Sequence, residues 1–408
     1  MTDVSGRHVL FLNWRDRLHP EGGGSEVYIE RVAAEMAARG YRATLFCQAH
    51  ANAPAEETTP AGVTVIRRGG RHTVYLYAAL TYLAGALGFG PLARHRPDLI
   101  VDVCNGLPFL SRLYTRRPVI ALVHHVHREQ WPVVFGPVLS RFGWWVESRL
   151  AVRVYRRCQY VSVSESTRRE LAGLGVDPGR IAVVHNGTPA VAGPPVPRTA
   201  HPSLLVLGRL VPHKRIELAM RAVALLSLEL PELTLTIAGQ GWWEAQLRRL
   251  AADLGIEHCV RFTGFVPEER KHELLCASWL SLAPSLKEGW GLTIVEAAAH
   301  GTPSIAFRSA GGVTEAMVDG ETGTLVDDEV DFLRAVRRLL HDADRRAEMG
   351  AAAEKYAQRF TWSASGAVFA ELVAGQLQPE PAAPRPLHDQ RPPGPPGPPG
   401  PLKDQRVP

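Results

Sequence analysis

The chain has 408 residues, of which 45% are hydrophobic and 21% charged, so it is long enough for two or three globular domains that each bury a core. Lys plus Arg exceed Asp plus Glu by 46 to 41, and this net charge of +5 is too small to indicate a nucleic-acid partner, although it suits anionic small molecules or an anionic membrane surface. The five cysteines show neither CxxC pairing nor metal-ligand spacing, which predicts buried thiols of a cytosolic protein.

The first part of the chain, residues 1–187, alternates short apolar runs with helical patterns. The opening segment MTDVSGRHVLFLNW has no basic region followed by a long apolar core, so no signal peptide is predicted. Helices are predicted at Ser25–Arg39, ended by Gly40, and at Gly143–Arg157. The glycine-broken run Val74–Leu92 indicates a buried or interfacial helix rather than a membrane span. The apolar runs that predict buried parallel strands are His8–Leu12, Ala43–Cys47, Val63–Ile66, Leu99–Val103, Val119–Val123, Tyr160–Val163 and Ile181–Val184.

A segment crowded with proline and small residues, 188–202, predicts a linker to a second domain over residues 203–360. The strands predicted there are Leu204–Leu207, Thr234–Ala238, Val260–Thr263, Trp279–Ala283, Ser304–Phe307 and Thr324–Val326. We therefore expect an α/β fold in which two doubly wound, Rossmann-like domains face one another, with the ligand in the cleft at the carboxyl ends of the strands. Residues 361–378 are predicted to form a helix that packs back toward the first domain, and the proline-rich tail 379–408 is predicted to be disordered.

Two loops lie where a strand gives way to a helix and offer groups that bind anions. EGGGSEVY, residues 21–28, has glycines that let the backbone approach a ligand before a helix N-terminus, although a flexible turn capped by Ser25 explains it too. Its spacing does not match GxGxxG, which argues against an NAD-dependent dehydrogenase. GRLVPHKR, residues 208–215, places Arg209 and Lys214 at the mouth of the second sheet, where they suit a departing diphosphate; the alternative is a solvated basic loop.

Two further motifs supply histidines and a pair of carboxylates. In ALVHHVH, residues 121–127, adjacent histidines point to opposite faces, which favours one histidine in the cleft over a metal centre. In SLKEGWGLTIVE, residues 285–296, Glu288 lies in a glycine-rich loop and Glu296 on the following helix. Glu296 has only apolar neighbours in the sequence, so its carboxylate needs partners, and ligand hydroxyls would supply them. The alternative is a capping acid followed by a helix-surface glutamate.

The segment Trp131–Arg157 mixes aromatic and basic side chains. That mixture suits an interfacial helix near anionic lipid, and hence a lipid-linked or cell-envelope acceptor. A core-packed amphipathic helix with a basic outer face explains the pattern equally well.

Over residues 9–377 these motifs, taken in their order and spacing, resemble the family 4 glycosyltransferases, whose two-Rossmann-domain architecture is known as GT-B. The resemblance is carried by GGGSE, the VHH histidine, VSVSESTRRELAGLGV, VVHNGTP, GRLVPHKR, IAGQG, FTGFVP and the two glutamates separated by seven residues. It implies transfer of a hexose-type sugar from a nucleotide donor to an acceptor hydroxyl, with retention of configuration and without a bound metal or other cofactor. We expect the acceptor to be a sugar, lipid-linked or small molecule, and the protein to be cytoplasmic or peripheral on the inner face of the plasma membrane.

The resemblance also implies roles for individual residues. Arg209 and Lys214 would bind the diphosphate, Glu288 would hold the sugar hydroxyls and Glu296 would grip the ribose. His124 would contact the sugar, with the adjacent His125 as the alternative. The catalytic set is thus Arg209, Lys214, Glu288 and His124, and the further donor-binding positions are Gly23, Gly24, Phe265, Val266, Gly289, Gly291, Leu292 and Glu296. The chain departs from the family pattern in its extra glycine at residues 22–24 and in HNG at residues 185–187, where PNG is common.

Three other functions are compatible with this architecture. A nucleotide-sugar epimerase would turn over the donor without an acceptor, and a glycogen-phosphorylase-like enzyme would depend on phosphate. A non-catalytic nucleotide-sugar-binding module would bind the donor and transfer nothing.

Overall fold

The computed structural model describes residues 5–189, 191, 193, 194 and 196–378. The disorder predicted for residues 379–408 concerns a segment that lies outside the described residues. Within the described part, residues up to Leu377 form one unit that contains two parallel sheets.

The first sheet has the strand order β3-β4-β2-β1-β5-β6-β7-β8, and its neighbouring strands are parallel except for the antiparallel pair β3 and β4. The strands are β1 His8–Leu12, β2 Arg42–Cys47, β3 Glu56–Thr58, β4 Thr64–Arg67, β5 Leu99–Val103, β6 Val119–Val123, β7 Gln159–Ser162 and β8 Ile181–Val183. The helices of this domain are α1 Gly24–Ala38, α2 Val74–Ala86, α3 Trp131–Val134, α4 Pro137–Trp145, α5 Val152–Val154 and α6 Glu165–Gly173.

The second sheet is parallel throughout, with the order β11-β10-β9-β12-β13-β14. Its strands are β9 Ser203–Leu207, β10 Thr234–Ala238, β11 Val260–Gly264, β12 Leu280–Ala283, β13 Ser304–Phe307 and β14 Gly323–Val326. The helices that follow the linker are α7 Ile216–Leu226, α8 Glu244–Asp253, α9 Glu268–Ala277, α10 Leu292–Ala299, α11 Val313–Ala316, α12 Glu329–His341, α13 Ala343–Ala357 and α14 Trp362–Leu377. The predicted α/β fold with two Rossmann-like sheets is therefore confirmed.

The central strands are apolar on both faces because helices cover both sides of each sheet. All residues of β1, β5 and β6 are buried, as are those of β12 and β13. Such continuous burial requires unbroken apolar runs, and that is the pattern by which the sequence predicts these strands. The single charged residue in β5, Asp102, is held by N–H groups of Phe109 and Ser111 at 3.0 Å each.

The helix predicted at Gly143–Arg157 is wrong as a single α-helix. The α-helical turns of α4 end at Trp145, a π-helical turn spans Val146–Ala151, and α5 completes the segment. The widened turn contains Glu147, whose carboxylate accepts from the His127 N–H at 3.0 Å and from the Trp131 indole N–H at 2.8 Å. These bonds hold the start of the segment 131–157 against the loop after β6.

The chain returns to the first domain after completing the second. The ring of Phe369 in α14 stacks on Phe11 in β1 with centroids 6.1 Å apart, and α14 packs along α1. A β-carbon at Gly366 would lie 2.7 Å from Cγ of Glu35, so the absence of a side chain permits this close packing. The return crossing ties the two domains together at residues 188 and 360, where the Thr188 N–H donates to the Phe360 carbonyl at 3.0 Å.

Among the described residues, none of the helices combines the length and apolar character needed to cross a bilayer. The helix α2, which covers most of the apolar run Val74–Leu92, ends at Ala86 and exposes Leu76, Tyr77, Leu80 and Leu83.

Candidate active site

The basic pair and the first glutamate meet at the carboxyl edge of the second sheet. Strands β9 and β12 are parallel neighbours, so the loops that follow them lie side by side. The Lys214 Nζ lies 2.6 Å from Oε1 of Glu288, and the Ser285 hydroxyl donates to the same oxygen at 2.7 Å. Arg209 follows Gly208 at the end of β9 and lines the same cleft as Lys214 and Glu288. Three of the four predicted catalytic residues therefore share one site.

The carboxylate of Glu288 is built to stay ionised. Burial alone would raise its pKa, but the attraction of Lys214 and the hydrogen bonds from Lys214 and Ser285 bring the pKa below its usual range. A carboxylate that is ionised near neutral pH accepts hydrogen bonds and has no proton to deliver there. Its chemistry is that of a hydroxyl acceptor rather than a general acid.

The glycine loop of the first domain faces this site directly. A β-carbon at Gly23 would lie 3.2 Å from Nε of Arg209, and one at Gly24 would lie 3.6 Å from Cδ2 of Leu292. The Glu26 carboxylate accepts from the Gly23 N–H at 2.8 Å and so fixes the start of α1. Gly23 thus leaves the guanidinium of Arg209 uncovered at the meeting point of the two domains.

The loop that carries Glu288 touches the first domain through Gly289. A β-carbon at Gly289 would lie 3.0 Å from the carbonyl carbon of His124 and closer to the carbonyl oxygen than real side-chain carbons come. One at Gly312 would lie 2.7 Å from Cα of Trp290, because residues 310–312 pair with the Glu288 loop. Gly291 has a positive φ of 101° at the start of α10, a conformation that glycine adopts without strain. The glycines of EGWG and AGGVTE are required for this backbone packing.

His124 and His125 differ in what their rings contact. His124 is buried against Tyr28, with ring centroids 5.2 Å apart, and its Nε2 has no hydrogen-bond partner among the residues that the structure describes. Burial, with a smaller effect of His127, lowers the pKa of His124 to about 3, so its imidazole is neutral. The His125 Nε2 is already paired with Oε1 of Gln130 at 3.1 Å. Of the two histidines, His124 is the one whose Nε2 is buried without a partner among the described residues.

The second glutamate has a protein partner, which corrects the expectation that ligand hydroxyls alone would satisfy it. Lys271 on α9 places its Nζ 2.7 Å from Oε1 of Glu296 on α10. Burial raises the pKa of the Glu296 carboxyl, and the attraction of Lys271 opposes that rise. The pair leaves the second carboxylate oxygen of Glu296 for another donor.

Phe265 and Val266, which the family resemblance would place beside the nucleobase, lie just after the end of β11. Val266 packs against the apolar cluster of Leu205, Ala238, Leu274, Leu275 and Ala297, while Phe265 is 73% exposed. An exposed phenylalanine ring beside a cleft gives a flat apolar surface on which a base can stack. No hydrogen bond or ring contact among the described residues joins Phe265 to Arg209, Lys214 or Glu288.

Glu315 is an interdomain residue that the sequence did not reveal. It lies on α11 and accepts hydrogen bonds from the N–H groups of Glu165 and Ser166, at 2.8 and 2.9 Å, at the start of α6 in the first domain. Burial would raise its pKa, but the bonds from His185 and from these N–H groups lower it. Lys287 forms a second ion pair across the domains with Glu170. The only signal in the sequence is Glu315 itself, the acid that ends AGGVTE at residues 310–315. An acid at that position also fits an ordinary helix start.

Two facing Rossmann-like domains, with a glycine loop opposite an arginine, a lysine and a glutamate, define a GT-B protein. Residues 23–187 match the family described as glycosyl transferase 4-like domain, and residues 195–356 match glycosyl transferases group 1. The chain belongs to the family 4 glycosyltransferases and is a glycosyltransferase.

Relatives and solved structures agree with this assignment. The chain is 30% identical to a D-inositol 3-phosphate glycosyltransferase of Catenulispora acidiphila, over 93% of this chain and 97% of that protein. It is 37% identical to a GDP-mannose-dependent alpha-(1-6)-phosphatidylinositol monomannoside mannosyltransferase of Mycolicibacterium smegmatis, over 43% of this chain and 49% of that one. The fold is similar to sucrose-phosphate synthase from Thermosynechococcus elongatus, with a TM-score of 0.77, 19% identity, and coverage of 90% of this chain and 98% of that one.

Proposed function

We propose that this enzyme transfers a hexose from a nucleoside diphosphate donor to an acceptor hydroxyl and that the anomeric configuration is retained. The observation that carries the proposal is the group of Arg209, Lys214 and Glu288 at the carboxyl edge of the second sheet. Gly23 of the first domain lies against this group, since a β-carbon added to it would be 3.2 Å from Nε of Arg209. Two cations beside one ionised carboxylate match a ligand with an anionic diphosphate at one end and hydroxyls at the other.

In the proposed reaction, the bond between the sugar C1 and the diphosphate oxygen breaks, and negative charge develops on that oxygen. Arg209 and Lys214 stabilise this charge, which is the largest electrostatic change of the step. The acceptor oxygen attacks C1 from the face that the diphosphate leaves, and its proton passes to the departing phosphate oxygen. Glu288 holds hydroxyls of the sugar, and the neutral imidazole of His124 uses its free Nε2 to orient the same ring. The reaction needs no bound metal in this scheme.

The pair of Lys214 and Glu288 also explains how the site holds its geometry before the donor arrives. Their bond of 2.6 Å neutralises each charge in a partly buried position. A diphosphate entering beside Lys214 shares that ammonium, which has three N–H donors, and leaves the bond to Glu288 in place. Lys271 would play the corresponding part for Glu296 at the ribose.

For the acceptor we propose an inositol-containing polyol or its lipid-linked form. The relatives named above act on D-inositol 3-phosphate or on a phosphatidylinositol monomannoside, by their names. This chain adds a surface that suits a lipid: residues 133–145 expose Val133, Val134, Phe135, Val138, Leu139, Phe142 and Trp145. Exposed arginines lie close by in the sequence, at Arg141, Arg149 and Arg153. Apolar side chains with flanking arginines favour adsorption to an anionic bilayer.

A thermal-shift screen of UDP-, GDP- and ADP-hexoses tests the donor. A bound donor raises the apparent melting temperature because it binds only the folded chain. We expect one nucleotide class to stabilise the wild type and to stabilise Arg209→Ala much less. Equal shifts in the two proteins would contradict the assignment of Arg209 to the diphosphate.

Sedimentation with vesicles tests the surface. We expect the wild type to bind vesicles that contain anionic phospholipid at low salt, and the double variant Val138→Ser, Leu139→Ser to bind much less. Leu225→Ser, Leu228→Ser is the matched control, since both leucines are exposed elsewhere on the protein. Binding that is equal in all three proteins would exclude residues 133–145 as the contact.

A further inference from the structure

Two histidines and a cysteine converge behind the donor side of the second domain. His272 and Cys276 are one turn apart on α9, and His300 follows the end of α10. Each offers one ligand atom, and the three atoms lie within 4.8 Å of one another. The two histidines approach through Nδ1 of His272 and Nε2 of His300, which are 3.1 Å apart. None of these residues belongs to the proposed transfer chemistry.

The hydrogen bonds around the two rings fix where the ring protons sit. The His300 Nδ1 lies 2.7 Å from the carbonyl oxygen of Glu296, and the His272 Nε2 lies 3.2 Å from that of Pro194. A carbonyl oxygen only accepts, so these two hydrogen bonds form together only when both nitrogens carry the hydrogen. In neutral rings the other two nitrogens then hold lone pairs that point at each other across 3.1 Å. Two facing lone pairs repel unless a cation lies between them, and that cation is either a proton or a metal ion.

The arrangement of the outer hydrogen bonds favours a metal. Histidines that bind metals regularly donate their second ring N–H to a backbone carbonyl or a carboxylate, which orients the ring. Both His272 and His300 do so here. Gly193 makes one of these contacts feasible, because its φ of +139° and missing side chain let the chain pass against the ring of His272. The site therefore has its outer support in place on both histidines.

The distances fit a small tetrahedral ion. Metal–nitrogen bonds of about 2.0 Å and a metal–sulfur bond of about 2.3 Å place neighbouring ligand atoms roughly 3.3 to 3.6 Å apart. The two nitrogens are at 3.1 Å, and the Cys276 Sγ lies 3.8 Å from Nδ1 of His272. The sulfur is also 3.9 Å from Nε2 of that ring, so coordination requires a rotation of the Cys276 side chain. Cys276 is only partly buried, which leaves room for that rotation and for entry of the ion.

We propose that His272, Cys276 and His300 form a binding site for Zn²⁺ or a similar divalent ion, with solvent as the fourth ligand. Two imidazoles and one thiolate are a ligand set that zinc prefers over the hard-oxygen ions magnesium and calcium. The bound ion would join α9 to the end of α10, the helices that carry Lys271 and Glu296. The proposed ion thus has a structural role, and its ligands are not among the residues of the proposed sugar transfer.

Metal-free, tag-free protein titrated with Zn²⁺ against a coloured competing chelator tests the site. We expect one equivalent to bind the wild type, and Cys276→Ser and His300→Gln to bind it at least about tenfold more weakly. His258→Gln and Cys259→Ser are controls that leave the cluster intact and are expected to match the wild type. With Co²⁺ in place of zinc, a thiolate-to-cobalt absorption band is expected in the wild type and in His258→Gln but not in Cys276→Ser.

If the variants do not fold, uptake of Zn²⁺ or Co²⁺ by the folded wild type tests the proposal without them. Failure of the folded wild type to take up either Zn²⁺ or Co²⁺ would overturn the proposal and leave a proton between the histidines. Equal zinc affinity in the wild type, Cys276→Ser and His300→Gln would overturn it as well, because the ion would then bind elsewhere.

Discussion

Replacing Gly289 by alanine tests whether turnover depends on the close contact between the two domains. The added β-carbon would lie 3.0 Å from the carbonyl carbon of His124 and closer still to its oxygen, whereas ordinary contacts begin at 3.4 Å. Both partners are backbone, so no side chain can turn away. The loop of Glu288 and the end of β6 must therefore move apart by about 1 Å, a misplacement that costs reactions of this kind about a hundredfold in rate.

A hundredfold loss corresponds to about 2.7 kcal/mol in the activation barrier. Because the clash lies between two stretches of loop backbone, the strands and helices stay in place, so we expect a large loss of turnover and only a small change in the melting temperature of Gly289→Ala. Gly70→Ala is the control, because no atom lies within 4 Å of a β-carbon there. The assay is release of nucleoside diphosphate in the presence of acceptor, beside circular dichroism of both variants. Wild-type turnover by a folded Gly289→Ala protein would refute the importance of this domain contact.

Three further predictions test individual groups. Arg209→Ala should lower turnover by about 10²- to 10³-fold with the fold intact, as expected for loss of a charge that stabilises the leaving group; near-normal turnover sinks that role. Gly23→Ala should lower turnover more than Gly24→Ala, because only the former brings a β-carbon to 3.2 Å from Arg209; the reverse order in steady-state kinetics would count against it. In denaturant titrations, the wild type should be more stable than Glu288→Gln by a constant free energy of unfolding above about pH 4.5, and this difference should shrink as the pH falls. The reason is that the pKa of Glu288 in the folded protein lies below its ordinary value. A difference that grows in acid would contradict the direction of that shift.

The central strands were predictable because they are buried on both faces and so read as unbroken apolar runs. One strand without such a run is β3, Glu56–Thr58, a polar antiparallel strand at the edge of the first sheet that only its pairing with β4 reveals. The broken helix at residues 143–157 was hidden for a similar reason. Its π-helical turn is accompanied by contacts of Glu147 with residues 127 and 131, which helical periodicity does not encode.

The positions of the basic pair and the two glutamates followed from motifs that lie beside the ends of parallel strands. The partners of those side chains did not, since Lys271 is 25 residues from Glu296, and Glu315 is 150 residues from Glu165. The metal-binding cluster proposed around Cys276 was likewise not predictable from the sequence. Cys276 shows no metal spacing along the chain, because one of its two histidines comes from a different helix. Long-range pairs of this kind appear only once the helices are packed.

The most direct test of the account is to follow the product of the reaction. The wild type is incubated with the nucleotide-hexose that stabilises it most and with inositol 3-phosphate, and the anomeric configuration of the product is read by proton NMR. We expect one hexose to be added with retention of configuration, and no product from Arg209→Ala. A product of inverted configuration, or unchanged product formation by folded Arg209→Ala, would contradict the proposed site between Gly23, Arg209, Lys214 and Glu288.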